Sequence, residues 1–207
     1  MIYLIDAGHS KLPTSQGKHS PIREDGTRFY EWESNRKIAR LVMAKLDALG
    51  VEYHTVLDLD KEGFTSLGER VSMTNAYAKH FGRQNCLLIS FHSNALGKGN
   101  EWYDSARGWS VYTSKGKTKS DEYATIFWEE AEKLLPKYGM TLRKQMSDGD
   151  PDYEENFTMV YSTSCPAVLL EQLFYTSRID LAFLDSEEGR EVLSDIIVNA
   201  IRRIEGV

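Results

Sequence analysis

Short apolar runs alternate with segments of helical period along most of the chain, and that alternation leaves few folds open. Ile2-Tyr3-Leu4-Ile5 reads as a buried strand. Ser34 to Leu49 puts Ile38, Leu41, Val42, Leu46 and Leu49 on one helical face and stops at Gly50. Val51 to Leu57 reads as a second strand. Ser66-Leu67-Gly68-Glu69 has the form of a capping box opening a helix that runs to about His80. Cys86 to Phe91 is almost wholly apolar, as expected of a strand covered on both faces of a sheet. Trp109 to Thr113, Thr158 to Tyr161 and Ala167 to Leu170 read as further strands. Lys119 to Leu135 and Glu187 to Ile204 read as helices, the latter with Val192, Leu193, Ile196, Ile197, Ala200, Ile201 and Ile204 inward. Strands alternating with helices predict an α/β domain with a mostly parallel sheet.

The 207 residues suit one domain spanning 1–207, at roughly 150 residues per domain. A core of that size needs neither disulfide nor metal merely to fold. Acidic side chains outnumber basic ones, for a net charge of -6. With no basic block, the chain is a poor match for nucleic acid or an anionic membrane. Cys86 and Cys165 sit in apolar stretches and read as buried free thiols. Neither a secretory signal nor a membrane span is visible, which makes the cytoplasm the default expectation. Two polar stretches, Ser10 to Arg28 and Arg143 to Asn156, are long for loops of one domain, and loops of that length tend to be functional.

Sites of open α/β sheets form outside the carboxyl ends of the strands. The first strand leads into Asp6-Ala7-Gly8-His9-Ser10, the strand at 86–91 into His92-Ser93-Asn94, and the strand at 167–170 into Glu171. Tyr30-Glu31-Trp32-Glu33, in the loop entering the first helix, returns to the same edge. Two histidines and a carboxylate with one position open form a standard catalytic zinc set. Position alone leaves a second reading equally open, in which His9 and His92 are hydrogen-bonded loop histidines. His54 lies inside a strand, His80 near a helix end where the dipole favours a cation, and His19 in a polar loop where it can at most touch substrate. Asp148, Asp150 and Asp152 alternate like the start of a calcium loop. Tyr153 and Met159 stand where that loop needs its glycine and bidentate glutamate, so the expectation is an acidic solvent loop. Asn156-Phe157-Thr158 is a glycosylation sequon without a secretory context. Ser90, Ser93 and Ser162 lack a nucleophile elbow. Trp102 and Trp109 flank a polar loop and are expected to pack in the core rather than stack on a sugar.

At these residues the chain resembles the zinc-dependent N-acetylmuramoyl-L-alanine amidases of the amidase-3 type. The matching blocks are Leu4-Ile5-Asp6-Ala7-Gly8-His9; Glu31 ahead of Ile38-Ala39; Leu67 and Arg70 with Asn75-Ala76; Ile89-Ser90-Phe91-His92-Ser93-Asn94-Ala95; and Pro166 through Phe174, with Asp180 and Leu184 downstream. The resemblance implies a six-stranded twisted sheet with helices on both faces and one zinc ion. It implies hydrolysis of the amide between the lactyl group of N-acetylmuramic acid and L-alanine, on peptidoglycan or muropeptides. His9, Glu31 and His92 would be the metal ligands and Glu171 the catalytic carboxylate. Glu33 competes with Glu31, which stands at the family's usual distance before Ile38-Ala39. Ser10 and Ser177 depart from the family's usual glycine and asparagine. The protein is expected to be a monomer. Without an export signal it would act either inside the cell or after release in the manner of a phage lysin. The alternatives are a zinc peptidase or deacetylase acting on another amide, and a non-catalytic peptidoglycan-binding module.

Overall fold

The first strand, β1 (Ile2–Ala7), runs through the middle of the molecule and shows how the layers are assembled. Its side chains alternate between two faces, as a period of two requires. Tyr3 reaches one helical layer, where its hydroxyl donates to Glu205. Asp6 reaches the other, where its carboxylate meets Arg70 at 3.0 Å and accepts from Ser90 Oγ at 2.6 Å. The computed structural model describes residues 1–11, 18–61 and 63–207.

The other strands are β2 (Tyr53–Thr55), β3 (Cys86–Asn94), β4 (Ser110–Thr113), β5 (Tyr153–Glu154) and β6 (Ala167–Phe174). They form one six-stranded sheet in the order β2-β1-β3-β6-β4-β5. All pairings are parallel except β4 with β6. The central position of β3 explains its run of buried residues. Helices α1 (Glu31–Leu49), α3 (Lys119–Leu134) and α6 (Glu187–Glu205) pack together as one layer. Helix α2 (Leu67–Phe81) packs with the short α4 (Thr158–Tyr161) against the sheet. Helix α5 (Arg178–Leu184) follows β6 directly. The core centres on Trp109, Tyr3, Tyr175, Phe91 and Phe127, all fully buried.

Local signals behave as their chemistry predicts. Ser66 and Glu69 close both arms of a capping box on α2, and Gly50 ends α1 in the left-handed region. Cys86 and Cys165 are buried free thiols. No helix among the described residues is long and apolar enough to cross a membrane.

The structure corrects the sequence reading in several places. Thr158 to Tyr161 is a single helical turn, not a strand. Consecutive Met159 and Val160 are buried and Tyr161 is exposed, which strand alternation does not produce. The sixth strand is instead β5, a two-residue edge too short to announce itself. The second strand shrinks to Tyr53–Thr55, and α5, unread in the sequence, is capped by Ser177 accepting from the Asp180 amide. Helix α1 starts at Glu31, so that residue is helical rather than part of the entering loop. Strands β3 and β6 run on through His92 and Glu171, which lie inside the strands instead of after them.

Candidate active site

Three chain segments converge at the carboxyl edge of β1, β3 and β6. At the end of β1, His9 takes the left-handed conformation with φ of 66°. The glycine before it is dictated by space, because a Cβ on Gly8 would overlap the His92 ring. Asn35 Nδ2 of α1 donates to the Gly8 carbonyl at 3.2 Å and ties this turn to the helix. The α1 N-terminus is fixed by the Glu31 amide donating to the Lys18 carbonyl at 3.0 Å. An acidic side chain in that first turn is favoured by the helix dipole.

Strands β3 and β6 are irregular where they reach the site. His92 pairs with Glu171 and Asn94 with Phe174, so β6 carries one extra residue there. Leu173 absorbs the bulge with φ of 69°, a conformation uncommon for a residue with a branched side chain. Bulges next to sites re-aim side chains, and this one ends the regular pairing immediately after Glu171.

Glu31 Oε1 lies 3.1 Å from His92 Nδ1 and 3.4 Å from His9 Nε2, and accepts from the Ser93 amide at 3.0 Å. The two imidazole rings stand edge to face at 4.8 Å. One ligand atom from each of His9, Glu31 and His92 lies within 4.8 Å of the others, and such a cluster can bind a metal ion. The donor chemistry fits a divalent cation of zinc type: two imidazoles and one carboxylate around a common point. Burial pushes the Glu31 carboxyl up, but charge and hydrogen bonds from His9 and His92 outweigh it and hold it well below the usual carboxylate range.

Glu171 has the opposite environment. Burial and then the Glu31 charge push its carboxyl up to about 8. Its Oε2 is buried with no hydrogen-bond partner among the described residues. Arg70 and Arg178 are engaged elsewhere, with Asp6 and Asp104 respectively. Glu33, the competitor of Glu31, turns to solvent and pairs with Lys37 at 2.7 Å.

The remaining candidates fall outside this cluster. His54 stacks on Tyr77 and Phe81, and His80 sits edge-on to Phe81. His19 lines a cavity of about 730 Å³ with Ser10, Arg28, Tyr30 and Trp32, next to His9 and Glu31 in sequence. Trp109 is fully buried, whereas Trp102 is half-buried under the Arg178 guanidinium. Residues 12–17 of the first long polar stretch lie outside the described residues. In the second, the expectation of an acidic solvent loop is wrong for Asp152. That residue is buried and accepts from Thr113 Oγ1, because the stretch folds back to lay β5 against β4. The role of Gly8, the Asn35 tie and the bulge at Leu173 escaped sequence reading. An unbranched residue immediately before His9 was the available signal for the first.

The model of the N-acetylmuramoyl-L-alanine amidase family matches residues 4–203. The chain belongs to that family. The resemblance read from the sequence blocks is thereby borne out, and the enzyme is an amidase of the bond between N-acetylmuramic acid and L-alanine. Solved structures share the fold. The catalytic domain of CwlV, an N-acetylmuramoyl-L-alanine amidase from Bacillus (Paenibacillus) polymyxa var. colistinus, is 22% identical with a TM-score of 0.74, covering 100% of this chain and 98% of that one. The amidase AmiC2 of Nostoc punctiforme is 20% identical at a TM-score of 0.75, covering 100% and 98%. Ami1 from Mycobacterium smegmatis is 22% identical at 0.74, covering 100% and 97%. No curated protein sequence matches the chain.

Proposed function

We propose that this amidase is zinc-dependent, that His9, Glu31 and His92 hold the ion, and that Glu171 moves the proton during hydrolysis of peptidoglycan or muropeptides. The observation that carries the reading is the pairing of a three-donor cluster with an adjacent buried carboxyl whose Oε2 has no partner among the described residues. When bound, zinc supplies Lewis acidity, acidifying water and polarising the amide carbonyl.

The chain's own residues account for the rest. Glu31 balances the charge of the donor set and, through the Ser93 amide, is held in one orientation. Glu171 takes a proton from the water that attacks the carbonyl carbon. As the carbon–nitrogen bond breaks, it returns that proton to the leaving alanine nitrogen. Burial beside Glu31 raises the proton affinity of this carboxyl, which suits it to take a proton and return it.

The test is product identity. Zinc-loaded protein acting on purified cell walls should release new amino groups on alanine, in proportion to zinc content. New amino groups at other positions of the peptide would replace the amidase reading with a peptidase one.

A further inference from the structure

The sheet order places the proposed machinery in a row along one edge. His9 follows β1, His92 lies in β3 and Glu171 in β6. The next group in that row is Arg143. Its amide donates to the carbonyl of Trp109 at 2.8 Å, immediately before Ser110, the residue paired with Glu171.

Arg143 is held between two aromatic rings. Its guanidinium carbon lies 5.3 Å from the Tyr153 ring centre and 5.1 Å from that of Phe174. Both rings are themselves fixed: Tyr153 stacks on Tyr112, and the Phe174 amide donates to buried Asp180. The Arg143 carbonyl accepts from Trp128 Nε1 at 3.0 Å. Arg23, Arg40, Arg70, Arg107, Arg178 and Arg203 all pair with carboxylates. Half-buried Arg143 pairs with none among the described residues. Aromatic faces orient a guanidinium while leaving its N–H fork free, and that fork matches a carboxylate in two-point contact.

We propose that Arg143 is a specificity residue that binds a free carboxylate on the leaving peptide. This rests on the amidase reading and on the role given there to Glu171. A group that protonates the alanine nitrogen has the leaving peptide beside it. With the metal-donor cluster on one flank of Glu171, the peptide passes on the other, toward Arg143. In a stem peptide the residue after alanine is a glutamate joined through its side-chain carboxyl, so its α-carboxylate stands free or is amidated. The free form is an anion a few bonds from the scissile amide.

The experiment compares zinc-loaded wild type, Arg143→Gln and Arg143→Lys on two soluble wall fragments, one with the glutamate α-carboxylate free and one with it amidated. Wild type should favour the free acid by about tenfold or more in kcat/KM, the range of a charge-assisted contact. Arg143→Gln should lose most of that preference through a raised KM on the acid, with kcat and the amidated substrate changed less than about threefold. Arg143→Lys should keep part of it. Lys18→Ala is the control, because Lys18 is an exposed cation at the same edge, where its backbone carbonyl accepts from the Glu31 amide. Equal wild-type activity on both fragments, an equal loss on both in Arg143→Gln, or loss of preference in Lys18→Ala alone would each overturn the proposal. Absence of new alanine amino groups from either fragment would overturn the amidase reading, and this one with it.

Discussion

Glu31 and Asp152 are both buried acids, at 1% exposure each, and their neighbours drive them in opposite directions. Glu31 faces two imidazoles and stays ionised. Asp152 faces Asp150 and Asp121, and burial with those neighbours pushes it up to about 8. Depth is the same, so depth does not decide the charge state; the partner does. The difference also separates two purposes. A buried carboxylate flanked by two imidazoles suits a cation that the chain itself does not supply. A buried carboxyl beside another carboxyl is prepared only to share a proton, and its work is to hold the β4–β5 edge together.

The largest effect should come from emptying the first environment. His92→Ala removes one donor of three and the ring that packs over Gly8. Zinc content and wall hydrolysis should fall together to background. Circular dichroism should stay near wild type, because the core does not depend on this edge. Full zinc occupancy in the variant, measured by elemental analysis, would remove His92 from the donor set.

Next in size is Glu171→Gln, which keeps shape and hydrogen-bonding capacity but cannot accept a proton. Turnover should drop by about 10²–10⁴ with zinc retained. Thermal stability should hold or rise, since the amide, unlike the carboxylate of the unfolded chain, need not take up a proton to be buried beside Glu31. A fall in melting temperature with turnover intact in the folded fraction would make Glu171 structural.

Much of this edge could be read from residues alone because its signals are local and strong. Apolar runs at 2–5, 86–91 and 167–170 locate the central strands, and the polar residue after each locates the edge. What could not be read depends on contacts distant in sequence. Asp152 looks like a solvated loop acid until β5 folds it under Thr113. Thr158 to Tyr161 is too short for periodicity to tell a helical turn from a strand. The bulge at Leu173 arises from the pairing of β6 with β3, and no glycine marks it.

Gly8 sharpens the contrast from the geometric side, because the donor cluster requires fit as well as charge. Gly8→Ala places a methyl group against His92, which must move. A displacement of about 1 Å at such a site costs on the order of 10² in rate. Zinc affinity should weaken in parallel, and overpacking should destabilise the fold by about 1–3 kcal/mol. Wild-type activity in this variant would show that the position of His92 is not set by β1.

The smallest effect belongs to the second environment and appears as a pH dependence. Asp152 Oδ1 lacks a donor among the described residues, and a proton on Asp152 lets it donate to Asp150. The folded value of Asp152, about 8, lies above the ordinary carboxylate value of 3.8. The folded protein therefore holds this proton across an interval where the unfolded chain has released it. The resulting stability is fully present below the ordinary value, declines as pH rises, and is gone once pH passes the folded value. Asp152→Asn removes the titration and leaves an amide that donates to Asp150 permanently. Its melting temperature relative to wild type should climb between pH 5 and pH 9 by about 3–6 °C, the shift that one or two kcal/mol produces in a domain of this size. Hydrolysis at neutral pH should not change, because Asp152 touches none of the groups assigned to the reaction. Parallel melting curves across that range would mean that the pair is relieved by solvent rather than by a shared proton, and the contrast with Glu31 would then rest on the imidazoles alone.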